Sequence, residues 1–357
     1  MRAKEYLAEK KAAQPIPDRI TYIIDQMKAN PEILNKVYRL IKTELDISGG
    51  KSPEEILKPE FTKPEKDYNY KGVLESFIQA LNNTPGDYDD LQAFLSTYGK
   101  VSYIDTAELM KPGYSGWTSW LKGNGKVSQD FIHKLYQNLF NIKLNISGSD
   151  RGPGEVGLAL LSPTIEFATV GDLKIGGKEV EVKGEMSSGG GRLKNSAADY
   201  GQPNFTNIYT KFKIPEDQQP QRLPTAAPNP RIQGTHFQDF AMQLDRITPG
   251  AGKAYIQELF TATFKFGDQA LIKKMINNYD KIDRASASML ANKISYSSYA
   301  TILKNKGFST FLFLKLKGEK SLAFDVDDYE KYFDHFKLQG LDFSDGRNGA
   351  AVQASML

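Results

Sequence analysis

The sequence predicts an α/β protein, and three stretches carry that expectation. Asp172 to Lys183 alternates polar and apolar side chains on either side of Gly176-Gly177, the pattern of two half-buried strands joined by a tight turn. Upstream, most apolar residues recur at helical spacing. Downstream, a helical stretch near 235–305 gives way to two strand-like runs, Thr310–Leu316 and Ser321–Asp325, joined by Lys317-Gly318-Glu319-Lys320. The chain is therefore expected to hold an N-terminal all-helical domain, 1–145, and an α/β domain, 146–357, with a helical insertion at about 235–305.

Composition narrows the function classes. The 357 residues, 40% hydrophobic and 25% charged, read as globular with ample material for a core. No apolar run approaches the roughly 20 residues that span a bilayer, and the N-terminal Met-Arg-Ala-Lys-Glu-Tyr-Leu lacks an apolar signal core. A cytoplasmic protein is expected, in the host cytoplasm if the source is viral, with no membrane partner. The absence of cysteine excludes disulfides, thiolate zinc sites and a thiol nucleophile. His133, His236 and His335 lack ligand spacing, which argues against a zinc site or a Ser-His-Asp triad. With a net charge of +3, any nucleic-acid-binding face must come from local clustering.

In the N-terminal region, Ile20 to Leu45 shows helical apolar spacing. Gly49-Gly50-Lys51-Ser52 is not a phosphate loop, because position 45 is Leu and Pro53 would break the following helix. The Pro-, Lys- and Glu-rich stretch 58–71 reads as a connector. Between residues 89 and 141 the pattern gives four short helices: Asp89–Tyr98, Ser102–Met110, Tyr114–Leu121 and Gln129–Phe140, the last capped by Ser128. In the third, Trp117 and Leu121 at i, i+4 anchor one face and leave Ser115, Thr118, Ser119 and Lys122 outward. The run Tyr114 to Ile132 resembles the recognition-helix region of repressor-type helix-turn-helix domains. That resemblance implies DNA contacts from Ser115, Thr118, Ser119 and Lys122. A generic helical bundle uses the same capping chemistry and stays the competing reading.

The hairpin carries the chemistry. Counting back from a two-residue turn, Ile175 faces Lys178, Lys174 faces Glu179, Leu173 faces Val180 and Asp172 faces Glu181. Directly opposed side chains have Cβ atoms roughly 4.5–5.5 Å apart, where like charges destabilise the pair. A divalent cation would offset that repulsion, and Lys183 projects from the same face as Glu181. An ordinary solvated hairpin is the plainer alternative. Asp172, the hairpin and Glu181-Val182-Lys183 resemble the PD-(D/E)XK nuclease superfamily, the restriction-endonuclease-like fold, over about Gly152 to Leu193. Gly171 stands where many members have proline.

The resemblance implies a mixed sheet flanked by helices. It also implies a Mg²⁺-dependent (Mn²⁺ as substitute) DNA endonuclease, with Asp172 and Glu181 as metal ligands and Lys183 as the catalytic lysine. Many members add a glutamate on the helix before the core strands, and Glu155 stands at that place. Its position in the first turn, after Pro153, equally suits a carboxylate on the helix dipole. Beyond Lys183, Gly189-Gly190-Gly191-Arg192 reads as a loop bringing backbone N–H groups and Arg192 to a phosphate, or as a connector. Residues 215–234, rich in proline, read as a linker or arm. Asp325, Asp327 and Asp328 look more like helix caps than metal ligands. A homodimer suits double-strand cleavage. The alternative function is a catalytically silent nuclease-fold protein that binds DNA or serves in an assembly.

Overall fold

A computed structural model describes residues 19–30, 33, 36–37, 68–86, 88–142, 144–146, 149–168, 171–185, 191–195, 203–219, 231–233, 236–344 and 350–357. The tetrapeptide 49–52, most of the connector 58–71, the glycines at 189 and 190, and residues 220–230 of the proline-rich stretch lie outside these residues. The chain is α/β and forms two compact units, one from 1–108 and 117–169, the other from 109–116 and 170–357. The division falls near residue 170 rather than 145. Among the described residues no helix is long and apolar enough to cross a membrane.

The first unit holds helices α1 (Arg19–Ala29), α2 (Tyr68–Asn83), α3 (Tyr88–Thr97), α4 (Thr106–Leu109), α5 (Trp117–Trp120), α6 (Gln129–Leu139) and α7 (Glu155–Leu161). Ser128 caps α6 as its sequence position predicts, its hydroxyl accepting from Phe131 N at 3.1 Å. The expected helices Ser102–Met110 and Tyr114–Leu121 are each reduced to a single turn. Residues 103–105 instead pair with the backbone of Trp120 to Lys122, Asp105 N donating to Trp120 O at 2.8 Å, and the poor helix formers Gly113 and Gly116 bracket Tyr114-Ser115. Gly113 takes φ +111°, and Gly113–Gly116 becomes a strand, β1, of the other unit. The turn α5 that remains buries Trp117 and Trp120, which meet Tyr136 edge-on, with ring centroids 4.8 and 5.3 Å away. One turn of helix with both tryptophans buried is a core anchor, not a rod long enough to lie along a groove. The unit also contains short strands β2 (Leu144–Ile146), β3 (Ser149–Arg151) and β4 (Ile165–Phe167).

The second unit is built on a mixed sheet. Strand β5 (Leu173–Ile175) pairs antiparallel with β6 (Lys178–Glu185), in the register Leu173–Val180, Lys174–Glu179, Ile175–Lys178 that the turn count predicts. Gly176 and Gly177 take φ +58° and +82°, both positive as a type I′ turn requires. Strand β9 (Thr310–Lys315) runs parallel to β6, β10 (Lys320–Asp325) antiparallel to β9, and β1 antiparallel to β10. Thr310 to Leu314 are all buried, as in a central strand covered on both faces.

A second, antiparallel sheet orders β7 (Gly191–Asn195), β12 (Ala350–Met356), β11 (Phe336–Ser344) and β8 (Arg231–Gln233). Ala-rich β12 carries little strand propensity of its own, and β11 is broken by a register shift between Gln339 and Asp342. Residues Val326–His335 form a 3₁₀ segment.

Helices α8 (Phe205–Lys211), α9 (His236–Ile247), α10 (Ala251–Thr263), α11 (Gln269–Asn278) and α12 (Arg284–Asn305) complete the unit. The last four match the predicted helical stretch, but they are not an appendage. Tyr296, Tyr299 and Ala300 of α12 join Phe311, Phe313, Phe324, Phe336 and Val352 in one apolar cluster spanning both sheets. Glu185 on β6 bonds Lys315 at 3.3 Å and accepts from Met356 N at 3.0 Å, tying the end of β12 to the first sheet.

Candidate functional site

The hairpin turn sets which side chains meet. On β6, Glu181 and Lys183 alternate with Val180 and Val182, so the two charged groups share a face. Asp172 lies one residue beyond the paired segment of β5. Its backbone N–H donates to Val180 O at 3.3 Å, and its side chain turns in to accept from Val182 N at 2.8 Å.

Gly171 supplies the bend that makes this possible. Its φ is +137°, and a Cβ there would lie 2.6 Å from the Phe308 ring. Proline, fixed near −65°, has no access to that conformation.

Lys183 unites the two acids. Its Nζ lies 3.7 Å from Asp172 Oδ2, bonds Glu181 Oε1, and donates to Val182 O at 3.2 Å. The side chains of Lys183, Asp172 and Glu181 are 18%, 22% and 9% exposed, so the cluster is largely withdrawn from water. Burial works against the ammonium charge, but the Tyr299 phenol, Asp172 and Glu181 outweigh it and hold the Lys183 pKa well above the usual lysine value.

Tyr299 is the residue that sequence reasoning missed. It comes from α12, 118 positions after Glu181, and donates its hydroxyl hydrogen to Glu181 Oε1. Burial first, then the Glu181 charge, raises its pKa well above the ordinary tyrosine value, so it stays a neutral donor. Gly191 opens β7 beside Lys183. A Cβ at that position would stand 2.7 Å from Lys183 Cβ, so its lack of a side chain lets β7 pass over the lysine stem. The glycine serves the lysine directly.

Glu155 opens α7 in the first unit, 3% exposed, where its Oε1 accepts from Gly152 N at 2.8 Å. That bond suits the helix-start role its sequence position allows. Ser115 sits in strand β1 and bonds Ser321 across the sheet at 2.8 Å, not on a helix. Thr118 and Lys122 are exposed in the first unit, and Lys122 Nζ donates to Ser119 O at 2.6 Å, closing the α5 turn on itself. Arg192 is exposed on β7, where it stands opposite Gln353. Asp325, Asp327 and Asp328 pair with Lys178, Lys304 and Lys331 at 4.0, 2.5 and 2.6 Å, and Asp325 makes no side-chain cap bond.

Among the described residues, no group of three or more His, Cys, Asp or Glu side chains is placed to hold a metal ion. A cation at this site would therefore draw on Asp172 and Glu181, with water and substrate oxygens completing its shell. That donor set suits Mg²⁺, which binds through one or two carboxylates and keeps several waters. Compared with family models, curated proteins and solved structures, the chain matches none.

Proposed function

We propose that the protein is a divalent-metal-dependent DNA endonuclease with Asp172, Glu181 and Lys183 at its reactive centre. One observation carries this reading: across a two-glycine hairpin, a single lysine reaches two carboxylates on adjoining strands. The choice of DNA rests on the resemblance to PD-(D/E)XK nucleases. Mg²⁺, when bound, stabilises charge on the phosphoryl oxygens and lowers the pKa of a coordinated water. Asp172 and Glu181 supply the hard oxygen ligands, and the Val182 N–H bond holds Asp172 toward β6. Lys183, beside both carboxylates, would act as a counter-charge and hydrogen-bond donor to phosphate or water. Withdrawal from bulk water strengthens each of these interactions.

The test is incubation of supercoiled, linear and branched DNA with Mg²⁺, Mn²⁺ or EDTA, followed by mapping of product ends. Cleavage that needs the metal and falls by at least about a hundredfold in Lys183→Ala and Asp172→Ala is expected, as for loss of an electrostatic catalytic group. Undiminished cutting by Lys183→Ala would refute the assignment. A second reading draws on the same geometry. The cluster already satisfies much of its charge internally through Lys183 and Tyr299, as a nuclease-like fold kept for binding or assembly would. DNA binding without nicking in any metal would favour it.

A further inference from the structure

We infer that Tyr299 is a positioning residue for Glu181, so that the helical stretch preceding β9 forms part of the reactive centre. This rests on the metal-dependent reading of the hairpin. Tyr299 is 6% exposed, and its ring centroid lies 6.0 Å from that of Phe311, the residue beside Glu181 on strand β9. The ring is thus held by packing before its hydroxyl meets the carboxylate.

Among the described residues, Tyr299 and Lys183 converge on the same oxygen, Oε1. A carboxylate offers two oxygens with about four acceptor sites, so donors that fix Oε1 would leave Oε2 able to meet a cation. Groups that hydrogen-bond a metal's ligands fix their orientation, and losing one commonly costs roughly 10–100-fold in metal affinity or activity. Without the phenol, the Glu181 side chain would keep one donor on Oε1 and gain rotational freedom.

The experiment measures Mn²⁺ binding, by calorimetry and by the loss of the free-ion electron paramagnetic resonance signal, without DNA and independently of cleavage. Tyr299→Phe keeps the ring and removes only the hydroxyl. It should weaken Mn²⁺ binding by roughly tenfold or more while the chain stays folded. Tyr296→Phe is the control. That residue lies three positions back, about one helical turn, and its hydroxyl donates to Tyr329 O at 3.2 Å, away from the acids. It should leave Mn²⁺ affinity within about twofold of the parent. Equal affinity in the parent and Tyr299→Phe would overturn the role of Tyr299 and leave the metal reading standing. Equal weakening in both tyrosine variants would show a merely structural effect and also overturn it. Absence of Mn²⁺ binding in the parent would overturn both readings together.

Discussion

Lys183, with 18% of its side chain exposed, stands against carboxylates that are 22% and 9% exposed, and this burial decides what its removal does. Deleting one partner of a buried pair leaves an uncompensated charge and costs on the order of 3–5 kcal/mol, far more than a surface pair is worth. Lys183→Met, which keeps the stem and removes the charge, should therefore lower stability at pH 7 by about 3 kcal/mol. The pH dependence has a definite sign. The folded-state pKa of Lys183 is raised, so its contribution is full below the unfolded value of about 10.4 and is lost as pH rises through the folded value. Urea unfolding of both proteins should give a constant gap from pH 7 to 9 that narrows in stronger alkali. A gap that closes between pH 7 and 9 would contradict the buried ion pair. Asp172, Glu181 and Lys183 were legible because a period-two pattern and a fixed turn determine who shares a face. Tyr299 was not, since a contact 118 positions distant leaves no local trace.

At the scale of elements, helices with strong apolar period were readable, α6, α9 and α11 among them. Elements completed by their neighbours were not. β1 forms because β10 offers it an edge, and β12 because β7 and β11 flank it. Residues such as Gly113 or Ala350 do not announce a strand on their own. The β5–β6 hairpin is the opposite case, where local chemistry dictates structure, and it yields a direct test. A type I′ turn needs positive φ at both central positions, and Asn-Gly satisfies it with less backbone entropy to lose than Gly-Gly. Gly176→Asn should be neutral or stabilising by up to about 1 kcal/mol, whereas Gly176→Val should cost about 1–2 kcal/mol because a β-branched side chain resists φ of +58°. Nothing lies within 4 Å of a Cβ built at Gly176, so the difference isolates backbone conformation from packing. Equal unfolding midpoints for the two variants would rule out this turn geometry.

At the scale of the whole chain, sequence order and structural unit do not coincide. The stretch 109–116 belongs with 170–357, although the residues on both sides of it belong to the first unit. A domain boundary drawn from composition misses this, because what recruits β1 is a ladder to β10, from Gly113–Ala323 to Gly116–Lys320, reinforced by the Ser115–Ser321 bond. The consequence concerns how the second unit behaves alone. A fragment of residues 170–357 would carry β10 as an open edge with unpaired backbone groups, a template for pairing with another copy. Joining residues 109–116 to the fragment through a flexible Gly-Ser linker should restore the pairing. The restored fragment should run smaller on size exclusion and melt higher by roughly 2–8 °C, as about 1–2 kcal/mol of regained strand pairing implies for a chain of this size. Ser115→Pro within the joined segment should abolish the gain, since proline cannot donate to a ladder. If the fragment of 170–357 is already monomeric and melts with the joined form, β1 contributes nothing to closing this edge, and the boundary belongs at 170 without exception.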